Sequence, residues 1–521
     1  MNKDVAIAIT GMSVVLIAGV AASARAESPE ICPGKHIDRS LFPKAYGVLA
    51  NEALMFPVDM ADWPVKIDRS RQLFVDDYLI ASMENVQRQV HPVKKHPSNP
   101  LVVQDKPWEG NGLCFHIVRR NEASGRFRMW YACFGRYKLP SGLEARFPTC
   151  YAESADGITW TKPELGLLEY NGSKANNMVI HAGNPYGLIE EPNDPDPSRR
   201  YKAIVWHEPP YVPREGYFLY TSGDGLRWTR ARQTPLAVSL SGYTMPQTGI
   251  GDTSIFRWDR RLGKYIGDVK FVLPGKFRCR GIMESDDLIH WSRPIMTLYP
   301  DSLDEKDSQV YGHLSFCYES LWIGFLRMMH TERTGQKQTT VELTASRDGR
   351  HWTRVGRREE VIPLGKPGEW DADYHDPAWD PLLIGEELWI YYRSHCRTPP
   401  PGGPEFKHAV GLATLRRDGF VSLNGGDQPG QVLTRPLTVP GAALFVNAEV
   451  NPGGWIKVAV LSEDRQAIAP YGPDDSIPVT KDSTRTRVTW RNADELKVQP
   501  SGHIRLLFQI KQARLYSFWI E

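Results

Sequence analysis

Three acidic residues stand just ahead of apolar, β-like runs. They are Glu109 in "PWEGNG" (107–112), Asp252 in "GIGDTSIF" (249–256) and Asp307 in "EKDSQVYGH" (305–313). A fourth such point, "EWDADYHDP" (369–377), carries Asp371, Asp373, His375 and Asp376, whereas "HAGNPYG" (181–187) has no acid until Glu190. Carboxylates gathered at one place suit cleavage of a glycosidic bond. One acid protonates the leaving oxygen while another activates water or attacks carbon. Glu109, Asp252 and Asp307 are therefore the candidate catalytic carboxylates, with the 371–376 cluster as an alternative.

A second set follows the next run in each case. It comprises Arg136 and Tyr137, then His207, then Lys270, then Arg327 and His330, then Arg393, His395 and Arg397. Basic side chains around catalytic acids would hold an anionic sugar, because Arg grips a carboxylate or sulfate with two parallel hydrogen bonds. They would also keep neighbouring carboxylates ionised unless burial raises a pKa. The alternative is that these residues are paired to the acids and serve the fold. Trp108, Tyr186, Tyr311, Trp370 and Tyr374 could stack on sugar faces, Trp108 and Trp370 foremost because each flanks a candidate acid. Asp373, His375 and Asp376 join the expected substrate-binding set. A lyase, with Tyr311 or His313 as base beside an Arg-neutralised uronate, is a further option. Asp76 and Asp77 in "VDDYLI" could mimic a catalytic pair, but alternation turns only one inward. His375 and Asp376, with His330 or His395, lack a diagnostic metal spacing, so no metal or cofactor is expected. The exception is a structural calcium suggested by "NDPDPSRR" (193–200).

These points need a frame that brings them together. The heptapeptide "SADGITW" (154–160) returns as "SGDGLRW" (222–228), "SDDLIHW" (285–291) and "SRDGRHW" (346–352), with a partial copy, "RDGFVSL", at 417–423. The aspartates Asp156, Asp224, Asp287, Asp348 and Asp418 recur every 61 to 70 residues. A period of that size means stacked or radial repeats. Between these marks four strand-like runs recur. In the first repeat they are 113–120, 126–134, 149–154 and 158–162. In the third they are 253–259, 264–272, 278–285 and 289–294. In the fourth they are 311–318, 320–328, 339–346 and 351–355. Four antiparallel strands per repeat, arranged radially, make a β-propeller, here of five blades over 71–423. Segment 71–81 is expected to add a strand to the last blade. The recurring Asp-Gly turn is the hairpin between the third and fourth strands, on the face opposite the acids, with its Trp as a packing anchor. The strands after Leu423 lack the mark, so 424–521 is expected to be a β-sandwich.

Composition agrees with an all-β chain. Gly and Pro number 44 and 40, so no long stretch is free of breakers. With 63 basic and 61 acidic residues, no basic excess points to nucleic acid. The first 26 residues, with Lys3, an apolar run from Val5 to Ala22 and "ARA" ending at Ala26, have the form of a cleaved signal peptide. A secreted or periplasmic protein, not membrane-held after cleavage, is expected, with 27–70 as an N-terminal extension. The seven cysteines have no CxxC spacing and mostly fall in strands, where Cys acts as a small core residue. One or two bridges remain possible after export.

The Asp-Gly-x-x-Trp turn resembles the Asp-box of sialidase-type propellers, where it is a fold element. A signal peptide, five blades and a C-terminal sandwich together resemble glycoside hydrolase family 32, and the propeller is similar to families 43 and 62. Those families draw a base or nucleophile, a stabiliser and a general acid from the starts of inner strands, and the resemblance makes Glu109 the candidate base and Asp307 the candidate proton donor, with the 371–376 cluster as the alternative donor. "GDTSIF" keeps the Asp and Phe of the family-32 Arg-Asp-Pro-x-x-Phe pattern, so the resemblance makes Asp252 the stabiliser. Neither the family-32 Trp-Met-Asn-Asp-Pro-Asn-Gly motif nor its Glu-Cys motif is present. The segments "LFVDDYLI" and "DSTRTRVTW…ARLYSFWIE" are similar to those of uncharacterised secreted propeller proteins. The expected function is a secreted glycoside hydrolase acting on a poly- or oligosaccharide, an anionic one if the basic residues face the funnel. The alternative is a non-catalytic glycan-binding propeller.

Overall fold

The computed structural model describes residues 62–239, 249–273, 277–331, 337–397, 408–497 and 502–521. The expected signal segment and Cys32 lie outside the described residues. Alternating apolar runs produce five successive antiparallel meanders. The first joins Leu113–Arg120, Phe127–Cys133 and Thr149–Ser154, with Met178–Ile180 at its outer edge. The second begins at Asn184–Glu190, the third at Ile255–Asp259, the fourth at Ser308–Tyr318 and the fifth at Tyr374–Pro377. The first four opening strands pack side by side in sequence order, Tyr374–Pro377 pairs in parallel with Gln338–Ser346 of the fourth meander, and Glu387–His395 of the fifth packs on Leu113–Arg120 of the first. Meanders joined in such a closed succession form a β-propeller.

Within the meanders the strands lie close to where periodicity places them. The expected outermost run of the first repeat (158–162) is the exception. It forms only a bridge from Thr161 to Glu153, and the edge strand comes from Met178–Ile180.

Four of the five recurring turns share one hydrogen-bond pattern. In the first, Ser154 Oγ accepts from the Gly157 amide and Asp156 Oδ1 accepts from the Ile158 and Thr159 amides. Ser222/Asp224 and Ser346/Asp348 repeat it, and Asp287 does so without the Gly. The serine and aspartate thus satisfy turn amides that no strand can pair. The fifth copy differs. Asp418 is buried and accepts hydrogen bonds from Arg71, Tyr318, Asn447 and Ser517, so it joins the propeller to the C-terminal domain.

That domain is a β-sandwich built around two long strands, Leu444–Ser462 and Ile504–Ile520. The N-terminal run does not extend the last blade, as expected for 71–81. Gln72–Leu73 pairs with Ile504–Ile520, Ile80–Glu84 with Gly430–Thr434, and Val86–Val90 with Val421–Gly425. The ring-closing strand is Lys94–Lys95, on Ala409–Arg416. Apolar Leu73, Phe74 and Leu79 find their complement in the sandwich core, beside Phe508 and Phe518. Val421–Gly425 also belongs to this sheet, so the change of domain falls before residue 424. Asp76 and Asp77 are accordingly far from any funnel role, ion-paired to Arg347 and Arg88. In "NDPDPSRR" the Lys202 ammonium stands between Glu191 and Asp194, and Asp196 caps the turn at Ser198, so a lysine occupies the position read as a calcium loop. Among the described residues Cys114, Cys133, Cys150 and Cys279 are buried free thiols and Cys317 a half-buried one, while Cys396 is buried.

Trp352 is 4% exposed, packed with Leu298, Val310, Trp322 and Leu326, whereas Trp228 is only half-buried. Trp352→Ala is expected to lower unfolding free energy by about 3–5 kcal/mol, and Trp228→Ala by clearly less, read by urea denaturation. The Thr159 and Ile158 amides hold the Asp156 carboxyl down to about 2. The unfolded chain takes up that proton near pH 4, so this stabilisation is present above that pH and is lost as pH falls toward 2. Asp156→Asn should flatten the fall of Tm across that window.

Candidate active site in the propeller funnel

The third meander opens on a short, tightly held loop. Tyr217 Oη donates to the Gly251 carbonyl at 2.7 Å and accepts from the Ser254 amide at 2.9 Å. Ser254 Oγ donates to the same carbonyl and accepts from the Lys270 amide. Gly251 is required here, since a Cβ would stand 2.8 Å from Lys270 Cε. Thr253 lies at φ +60°, a region a β-branched residue rarely enters, and its carbonyl accepts from Arg280 Nη2. Such strain persists only where the surroundings over-determine it, and it clusters at functional sites. The loop delivers Asp252, 31% exposed, onto the buried Lys270 ammonium. Burial lowers the Lys270 pKa to about 8, against the opposing pull of Asp252.

Below Asp252, Asp268 accepts from Arg280 Nε at 2.9 Å and from His313 Nδ1 at 2.5 Å, and His313 Nε2 meets Thr344. Across the funnel, Asp376 lies 2.5 Å from Arg327 Nη1 and 2.9 Å from Arg393 Nη2. Tyr374 Oη accepts from both guanidinium groups. Register explains the geometry. Asp376 stands opposite Arg393 and Tyr374 opposite His395, while Arg327 faces Gly312, whose missing side chain leaves room for the guanidinium. A Cβ there would fall 2.2 Å from Arg327 Nε. Tyr311 lies between the two acidic centres, with Lys270, Arg278 and Arg327 at 5.4, 5.8 and 5.3 Å from its ring. Lys270, the partner of Asp252, and Arg327, the partner of Asp376, thus both meet the Tyr311 ring, which brings the two ion pairs together.

Of the expected residues, Asp252, Lys270, Arg327, Asp376, Arg393 and His395 come together here, with Tyr311 and Tyr374. His395 rests on Tyr374 and His408, and burial with the Arg393 charge lowers its pKa to about 3. Asp373 is buried beside them and accepts from the Arg397 amide. Asp307 lies farther out on the next inner strand, grouped with Glu305 and His330, their ligand atoms within 4.8 Å of one another. His330 Nδ1 is already 3.0 Å from Ser308 Oγ and its Nε2 3.0 Å from Thr340 Oγ1.

Several expectations are corrected. Glu109 is fully buried beneath the first meander, not in the funnel. Its oxygens meet Lys162 Nζ, Tyr131 Oη and the amides of Asp105 and Lys106. A carboxylate so surrounded cannot reach substrate. Trp108 is core, donating to Asn177 and edge-on to Tyr170. Trp370 is buried on Tyr392, and His375 points away from Asp376 because neighbours in a strand face opposite sides. His207 is stacked on Tyr211 and bonded to Tyr220, and burial lowers its pKa to about 3. Arg136 is exposed on the strand Arg136–Lys138.

Arg278, Arg280 and Asp268 had not been singled out. Arg278 and Arg280 stand at the start of a third strand, Phe277–Ser285, whereas the propeller topology draws attention to the starts of first strands and the ends of second strands. Their signal was the alternation in "RCRG" (278–281), a polar pair in an otherwise apolar strand.

No known protein-family profile and no curated protein matches the chain. Solved structures with a similar backbone include a thermostable family-43 glycoside hydrolase at 14% identity, covering 64% of this chain and 96% of its own, with TM-score 0.43. An N-acetylgalactosamine deacetylase from F. plautii, bound to blood group B trisaccharide, has 14% identity, covers 65% and 96%, and has TM-score 0.42. A glycosyl hydrolase from Bacteroides ovatus has 14% identity, covers 67% and 97%, and has TM-score 0.38.

Proposed function

We propose that the protein is a glycan-acting hydrolase whose reaction takes place in the propeller funnel at Asp252. The observation that carries this reading is the delivery of a part-exposed carboxylate, on a strained and clamped loop, into a chamber bordered by Asp376, Arg327 and Tyr311. Asp252 supplies negative charge beside the sugar carbon as the glycosidic bond opens, and protonated Lys270 holds it ionised and in place. Asp307, from the neighbouring inner strand, is assigned to deliver the proton to the leaving oxygen, and water completes the hydrolysis. The second reading, a propeller that binds glycan without cleaving it, is favoured by the placement of Glu109 outside the funnel.

A screen of neutral, uronic and sulfated polysaccharides, read by reducing ends released, distinguishes the two readings. With an active substrate in hand, Asp252→Asn should lower kcat by at least about a hundredfold with the native circular dichroism spectrum retained; an unimpaired variant removes Asp252 from the reaction. In the parent enzyme kcat/KM should fall as pH rises through about 8, where Lys270 loses its proton and Asp252 its counter-charge. Lys270→Arg, whose guanidinium does not titrate there, should shift that limb upward by two units or more. A limb that stays near 8 in the variant belongs to another group.

A further inference from the structure

Four cationic side chains are concentrated around the two ion pairs of the funnel. Lys270, Arg278, Arg327 and Arg393 line it, and Asp252 and Asp376 oppose them. Lys270 is matched by Asp252, while Asp376 is shared between two guanidinium groups. Arg278 donates to the Gln309 carbonyl oxygen at 2.6 Å and has no carboxylate partner among the described residues. Buried cations without matching anions are costly. The cost is visible atom by atom, since Arg278 Nε, Arg327 Nε and Nη2, and Arg393 Nε are buried with no hydrogen-bond partner among the described residues. Arg327 is fully buried and Arg393 nearly so, and Tyr374 and Asp376 fix the orientation of both. Guanidinium groups locked in place with donors left over are a ready acceptor for a planar or tetrahedral oxyanion.

We infer that the funnel carries an oxyanion subsite, made by Arg278, Arg327 and Arg393 beside Tyr311, that recognises an acidic substituent on the glycan. The substituent is a uronate carboxylate or a sulfate ester, which share this chemistry. The inference rests on the funnel being the glycan site proposed above and names its substrate class. The aromatic side of the chamber, Phe115 and Phe134, flanks Arg393 at 5.9 and 6.0 Å and lowers the local polarity, which strengthens any charge-assisted bond formed there.

Titration calorimetry of the intact protein with D-glucuronate, D-galacturonate, D-glucose 6-sulfate and D-glucose tests it. At least one charged sugar should bind about tenfold or more tightly than glucose, and the uronate and sulfate arms tell which oxyanion is preferred. Arg278→Gln, at a half-buried position and with folding checked by circular dichroism, should erase most of that preference, and Arg278→Lys should restore only part of it because a point charge lacks the planar fork. Equal binding of charged and neutral sugars, or an Arg278→Gln variant with undiminished preference, overturns the inference. Asp252→Asn separates the two assignments. If it abolishes turnover while charged-sugar binding persists, both stand. If it abolishes turnover of a neutral glycan and no charged sugar binds, the subsite falls and the hydrolase remains. If it leaves turnover intact while Arg278→Gln loses binding, the hydrolase assignment falls and the subsite remains.

Discussion

The buried Asp376 carboxylate, shared between Arg327 of the fourth meander and Arg393 of the fifth, is the interaction on which the funnel depends. Two guanidinium groups drawn into the interior would repel each other without an acid between them. Removing one partner of such a buried pair typically costs about 3–5 kcal/mol, because the remaining charge is stranded. The same carboxylate therefore ties two neighbouring meanders together and points the free edges of both arginines in fixed directions. Tyr374, opposite His395 in the register, adds a hydroxyl that accepts from both.

The chamber around this clamp is divided by chemistry. The first two meanders contribute Phe115, Phe134, Tyr186 and Tyr217, while the third, fourth and fifth contribute the charges. Asp252 sits at the seam, and its field reaches Tyr186, Tyr217 and Tyr311. The apolar side keeps the dielectric low, so each ion pair on the polar side is stronger than it would be in water. It also explains why the Asp252 loop is held by so many short-range bonds: a mobile carboxylate would hydrate instead of pairing with Lys270.

The fifth Asp-Gly copy shows how a recurring local signal can acquire a different role. In four turns the aspartate satisfies neighbouring amides at the surface. Asp418 is instead buried where Arg71 and Tyr318 approach from one side and Asn447 and Ser517 from the sandwich. Residues 72–90 then pair with the C-terminal strands, so the two ends of the chain share one sheet and Lys94–Lys95 closes the last meander.

Periodicity by itself determined the all-β class, the repeat, most strand limits and the change of pattern near residue 424, because alternation and turn chemistry are properties of neighbouring residues. It also singled out Asp252, Lys270, Arg327 and Arg393, since residues at strand starts and ends share one face once strand order is known. Only tertiary structure decided which acids reach that face. Glu109 has the same local setting as Asp252 and each pairs with a lysine, yet Glu109 is fully buried under Lys162 and Tyr131 while Asp252 stays part-exposed, a difference that depends on how each meander folds. Likewise Arg278 and Arg280 enter the site through cross-strand register, and 71–81 leaves the propeller because its apolar residues match the sandwich core. Pairing between distant segments is set by shape and burial, which a linear pattern does not carry.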